Sequence, residues 1–120
     1  MNKVDHALDR KNHIYIAGPM TGIDDWNFPA FNAAAEYLTD LGFTAHNPAN
    51  HGLIAGATRS DYLRYDLREI SQCEGIYLLN GWSSSEGALF EVQVAKMLDM
   101  KIFYAAGAER SLLPIGGTVL

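Results

Sequence analysis

The chain has 120 residues, 48% of them apolar, which is enough to bury one core and too short for two domains. Nine basic against 14 acidic residues give a formal charge of −5 with no basic cluster, which disfavours a nucleic acid duplex, since phosphate neutralisation supplies most of that affinity. No apolar run approaches a membrane span, the polar start MNKVDHALDRKNH lacks the apolar centre of a signal peptide, and the single Cys73 cannot form an internal disulfide, so a cytoplasmic location is expected.

Residues 1–12 read as a polar extension and 13–120 as the domain. The first strand is the compact run Ile14-Tyr15-Ile16-Ala17, stopped by Gly18-Pro19. The loop after it, Met20 to Trp26, is long for a strand-to-helix connection. Asn27 reads as the N-cap of a helix over Phe28 to Leu41, with Phe31, Ala34, Ala35, Leu38 and Leu41 at helical spacing and Gly42 as its stop. A short strand follows at 43–46, ended by Asn47-Pro48, and then a glycine-rich loop to Thr58. A second helix is expected from Arg59 to about Gln72, with Leu63, Leu67 and Ile70 as its buried stripe.

The third strand, Ile76 to Leu79, breaks at Asn80-Gly81 and passes through Trp82 and Ser83-Ser84-Ser85 into a helix from Glu86. A fourth strand spans Lys101 to Ala105, and the Gly/Pro-punctuated tail offers a short fifth. The β-α-β-α-β-α-β order predicts an α/β fold, a single-domain three-layer α/β/α sandwich with a four- to five-stranded parallel sheet of order 2-1-3-4. Ligands of such sheets sit beyond the carboxyl ends of the strands.

Several residues at that edge admit both a chemical and a plain reading. Glu91 shares a helical face with Gly87, Ala88, Val94, Ala95 and Leu98, where a core residue is expected. Asp66 borders the stripe of the second helix, and is either a second carboxylate for glycosidic chemistry or a partner of Arg64 or Arg68. Among Ser83, Ser84 and Ser85 one serves as N-cap, while the set together with Gly87 could hold a phosphate. Tyr15 fills a sheet face by its alternation with Ile14 and Ile16. Trp26 and Trp82 are loop aromatics, suited to anchoring a lid or stacking on a base. His6, His13, His46 and His51 show no metal-ligand spacing, so no metal is expected, and Cys73 reads as a core thiol.

The segments IYIAGPM (14–20), NFPAFNAAAEYL (27–38), HNPA (46–49), YLRYDLREISQCEGIYLLNGW (62–82) and EGALFEVQVA (86–95) together resemble a small phage-associated domain of unknown function in the nucleoside 2-deoxyribosyltransferase-like superfamily. The resemblance implies a sugar and base pocket at Ala17, Gly18 and Pro19, while Met20, Trp26, Asn80 and Trp82 are expected to bind substrate from their places at the strand ends and loops of the same edge. It implies Glu91 as the nucleophile at the anomeric carbon, Asp66 as its assistant and Tyr15 as the aromatic beside the glutamate. A 5′-phosphate would fall at Ser83, Ser84 and Ser85. The implied activity is cleavage or transfer at the N-glycosidic bond of a deoxynucleoside or its 5′-monophosphate, without a cofactor. The competing expectation is a catalytically silent nucleotide-binding or nucleotide-sequestering module of a phage, then resident in host cytoplasm. The apolar surplus at Tyr37, Phe90, Met97, Met100, Leu112, Leu113 and Ile115, with the oligomeric habit of the resembling enzymes, predicts a homodimer or higher homo-oligomer.

Overall fold

Alternation within the first strand decides the layering. The computed structural model describes residues 10–110 and 117–120. In β1 (His13–Ala17), Ile14 and Ile16 point to one face of the sheet and Tyr15 and Ala17 to the other. Phe31, Ala34 and Leu38 of α1 (Phe28–Asp40) pack on the first face, together with Tyr77 and Leu79. On the second face, α2 (Arg59–Ile70) supplies Ile70, and α3 (Glu86–Met97) supplies Ala88, Val92 and Ala95, against Ile76, Leu78, Ile102 and Tyr104. Both faces are therefore covered, as the near-continuous apolar strands require.

The remaining strands are β2 (Thr44–His46), β3 (Gly75–Leu78), β4 (Lys101–Tyr104) and β5 (Thr118–Val119). Their order is β2-β1-β3-β4-β5 with every pairing parallel, and Tyr15 registers with His46 on one side and Ile76 on the other. The tail strand thus extends the expected 2-1-3-4 order. Among the described residues no helix is long and apolar enough to cross a membrane.

Local chemistry explains the element ends. Thr58 and Asp61 form a reciprocal capping box that opens α2. Ser85 accepts from the Ala88 amide and caps α3. Gly42, at φ 97°, turns the chain out of α1 while the Phe43 amide donates back to the Leu38 carbonyl.

Three expectations need correction. Asn27 does not cap α1: it is left-handed at φ 59°, and its side chain donates instead to the Pro19 carbonyl at 2.9 Å. Leu41 lies past the end of α1 and is about half exposed. Met100 is buried and adds nothing to a surface surplus, whereas Tyr37, Phe90 and Met97 are exposed. Leu112, Leu113 and Ile115 lie outside the described residues, as do residues 1–9 of the extension.

Candidate active site

β1 gives way to Gly18, where only a hydrogen fits: a Cβ at that position would stand 2.9 Å from the Cβ of Leu79. The chain then swings away from the sheet through Met20 to Asn27. Here Asp25, Trp26 and Asn27 are left-handed in succession, at φ 53°, 55° and 59°. Three non-glycine residues in that region store strain. The Asn27 bond to Pro19 ties the turn back to the strand end. Between this loop, the Pro48–His51 turn and the first turns of α2 and α3 lies a cleft of about 750 Å³. It occupies the carboxyl edge of β1, where a parallel sheet is expected to bind.

Gly18, Pro19, Met20 and Trp26 line one wall, and Ser84, Ser85 and Gly87 line another. Tyr15, Asp66 and Glu91 meet at the floor. The Tyr15 hydroxyl donates to Glu91 Oε2 at 2.7 Å, in a fully buried contact. Glu91 is only 6% exposed although it lies on a helix. Its burial follows from its neighbours: Ala88 and Ala95 are small and buried, and so seat α3 close to the sheet.

Burial raises the Glu91 carboxyl well above the ordinary carboxylate range. The negative charge of Asp66 adds to the rise, and the Tyr15 hydrogen bond offsets part of it. Burial likewise lifts Asp66 to about 6, against the opposing influence of His51. Tyr15 is raised by its own burial and then by the two carboxylates, so it stays a neutral donor. Two carboxyls held together out of water resist double ionisation, so a charge on one favours the proton on the other.

Asp66 pairs with neither Arg64 nor Arg68. Its Oδ1 is buried without a hydrogen-bond partner, and the nearest basic group is His51 Nε2 at 3.7 Å. Arg59, which also lines the cleft, sits 2.8 Å from Glu86 in a largely exposed pair. Such a pair contributes about 0–1 kcal/mol and can be exchanged for another anion at little cost.

Other expected site residues lie elsewhere. Ala17 is wholly buried in the core. Trp82 is 3% exposed, its ring packed near Tyr104 and its Nε1 donating to the Glu109 carbonyl, so it offers no stacking face to the cleft. Asn80 is exposed beside Gly107, outside the lining.

Ser83 is engaged by Glu109, whose carboxylate accepts from the Gly81 amide, the Ser83 amide and the Ser83 hydroxyl at 2.8, 3.2 and 2.6 Å. Partial burial raises Glu109, but these donors outweigh it and leave its carboxyl below the ordinary value. The turn after β3 is thus an anion nest, as its composition suggested, and the chain's own Glu109 carboxylate occupies its Gly81 and Ser83 donors. Only Ser84 and Ser85 remain open to the cleft.

A separate polar row runs beneath α2. His13 Nδ1 lies 2.8 Å from His46 Nε2, and His46 Nδ1 lies 3.0 Å from Glu69 Oε1. Among the described residues no group of three or more His, Cys, Asp or Glu side chains is arranged to hold a metal ion. Cys73 is buried, and burial pushes its thiol up to about 12, which makes it inert packing.

His51, Arg59 and Glu109 were not legible as site residues. The first two stand in or next to a loop at the carboxyl edge of the sheet, a signal that could have raised them. Glu109 comes from the tail, and nothing local marks it.

The fold is similar to that of a solved 2-deoxyribosyltransferase from the psychrotolerant bacterium Bacillus psychrosaccharolyticus. The two share 18% sequence identity at a TM-score of 0.66, over 84% of this chain and 77% of that one. No curated protein matches the sequence. The family described as Domain of unknown function (DUF4406) matches residues 12–104, the whole span from the start of β1 to the end of β4, and the chain belongs to that family.

Proposed function

We propose that the protein cleaves the N-glycosidic bond of a deoxynucleoside or deoxynucleoside 5′-monophosphate, with Glu91 as nucleophile. The observation that carries this reading is the buried Tyr15–Glu91 contact, with Asp66 beside it, at the floor of an open cleft. A glutamate held dry by small neighbours costs stability, and a site for chemistry is where such a cost is tolerated.

In the first step the Glu91 carboxylate attacks C1′ of the sugar, and the C1′–N bond breaks with its electron pair going to the base. Asp66 delivers a proton to that base. In the second step water attacks C1′, the ester bond to Glu91 breaks, and the water's proton passes to Asp66. A second base in place of water would give transfer instead. Tyr15 orients the Glu91 oxygen it touches, which leaves the other oxygen for the attack.

Hydrolysis of a monophosphate is favoured over transfer because one wall of the cleft suits a phosphate. Ser84, Ser85 and the opening of the 12-residue α3 lie there beside Arg59. Trp26, held at the mouth by its strained turn, is the available stacking surface for the base. The exposed apolar side chains Phe90 and Met97 on α3 and Tyr65 on α2 supply the surface for a homodimer.

The test is incubation with a panel of deoxynucleosides and their 5′-monophosphates, read by chromatography for free base. Release from monophosphates supports the reading. Tight binding without release would instead select a nucleotide-binding module.

A further inference from the structure

One buried group beside the floor has no part in the steps above. His51 closes the short turn after β2, and its side chain is 8% exposed. Its Nδ1 lies 2.7 Å from the Gly52 carbonyl oxygen. A carbonyl can only accept, so Nδ1 carries a hydrogen whether the ring is neutral or charged. The proton that comes and goes therefore belongs to Nε2.

That nitrogen faces Asp66 Oδ1, the buried carboxylate oxygen that lacks a hydrogen-bond partner. The ring cannot turn away. Tyr62 stands against it at 5.1 Å between centroids, and Tyr65 meets it edge-on at 5.0 Å. Tyr62, Tyr65 and Asp66 are neighbours on one side of α2, so a single helix both clamps the imidazole and supplies its carboxylate. The present 3.7 Å is longer than a hydrogen bond, and catalytic contacts in ligand-free sites commonly tighten when substrate binds.

We propose that His51 is the positioning residue of Asp66. The clamped ring presents its one titrating nitrogen to the unpartnered Asp66 oxygen, so that imidazole and carboxyl hold between them the proton destined for the leaving base. This rests on the N-glycosidic reading above.

The arrangement answers a difficulty in the floor itself. Glu91 must be ionised to attack, yet the negative charge of Asp66 helps to keep it protonated. A proton held between His51 and Asp66 cancels that charge and frees Glu91. The other groups facing the unit are Tyr62 and Tyr65 from α2, Tyr15 from β1 and Glu91 from α3, with Glu69 acting on Asp66 along its own helix. None of these is basic, and among the described residues facing the unit His51 is the one basic side chain.

Two variants test the proposal. In His51→Asn the side-chain amide can still reach the Gly52 carbonyl, and in His51→Gln an uncharged donor replaces Nε2. The carbon-13 shift of the Asp66 carboxyl is followed with pH in the ligand-free protein. Wild type should titrate near the value of about 6, and both variants should move that midpoint up by about one pH unit. Nitrogen-15 spectra of the neutral ring should show the Nδ1–H tautomer. The falling limb of the pH profile of kcat/KM should move upward with the Asp66 midpoint, which loss of packing alone would not produce. An unmoved midpoint in folded variants, or an Nε2–H tautomer, overturns the inference. Absent coupling in a chain that releases base would overturn this inference alone. Present coupling in a chain that releases none would overturn the activity and, with it, the proton's destination.

Discussion

Replacing Asp66 by asparagine should stabilise the protein, and increasingly so as the pH rises. The carboxyl titrates at about 6 in the fold against an ordinary 3.8, so the folded state binds its proton more tightly than the unfolded chain does. Between those values the folded state holds more protons, and stability falls with rising pH. The loss begins near pH 4 and is complete above about pH 6. At 1.36 kcal/mol per pH unit this corresponds to about 3 kcal/mol. Asparagine carries no charge, keeps the shape, and forfeits no hydrogen bond at Oδ1, which has none. It also removes one of the charges that raise Glu91. Urea denaturation of wild type and variant at half-unit steps from pH 4 to pH 8 reads the difference. The two should coincide near pH 4, and the variant should exceed wild type by about 3 kcal/mol at pH 8. Equal stabilities at pH 8, or a less stable variant, would refute the claim that this carboxylate is held against its preference.

Two further outcomes concern the cleft wall and the outer helices. Arg59→Ala should raise KM for a 5′-monophosphate about tenfold, as expected for the loss of one charge-assisted contact, while leaving kcat and the KM for the bare deoxynucleoside within about twofold. An equal change for both substrates would remove Arg59 from phosphate recognition. Light scattering at micromolar concentration should give twice the 13.2 kDa chain mass, and a monomer would exclude the dimer through Phe90 and Met97.

The sheet was legible because its signals are local. Ile14 to Ala17 alternate and stop at Gly18-Pro19, and Gly42 marks the end of α1, so strand order and crossovers followed from topology alone. Glu91 was legible for the opposite reason: a carboxylate on an apolar helical face is a conflict that the sequence displays openly. What escaped depends on contacts between distant segments. Asn27 looks like a cap until Pro19 is seen to claim its side chain. Ser83 looks free until Glu109, 26 residues away, reaches it. Trp82 sits in a turn by sequence, yet the 105–110 segment folds over it and makes it core. His51 has no helical or strand period to mark its direction, and only the rings of α2 reveal it.

The most direct measurement of the central claim is intact-protein mass spectrometry after rapid acid quench of wild type and Glu91→Gln with a deoxynucleoside 5′-monophosphate. Glutamine keeps the shape and an oxygen acceptor for Tyr15, so the variant should fold as wild type does. Wild type is predicted to gain the mass of one deoxyribosyl phosphate, mapped to the peptide containing Glu91, as free base appears in step. The variant should show neither adduct nor base. Base release by Glu91→Gln at the wild-type rate, or an adduct mapped to any other residue, would contradict the assignment of Glu91 as nucleophile.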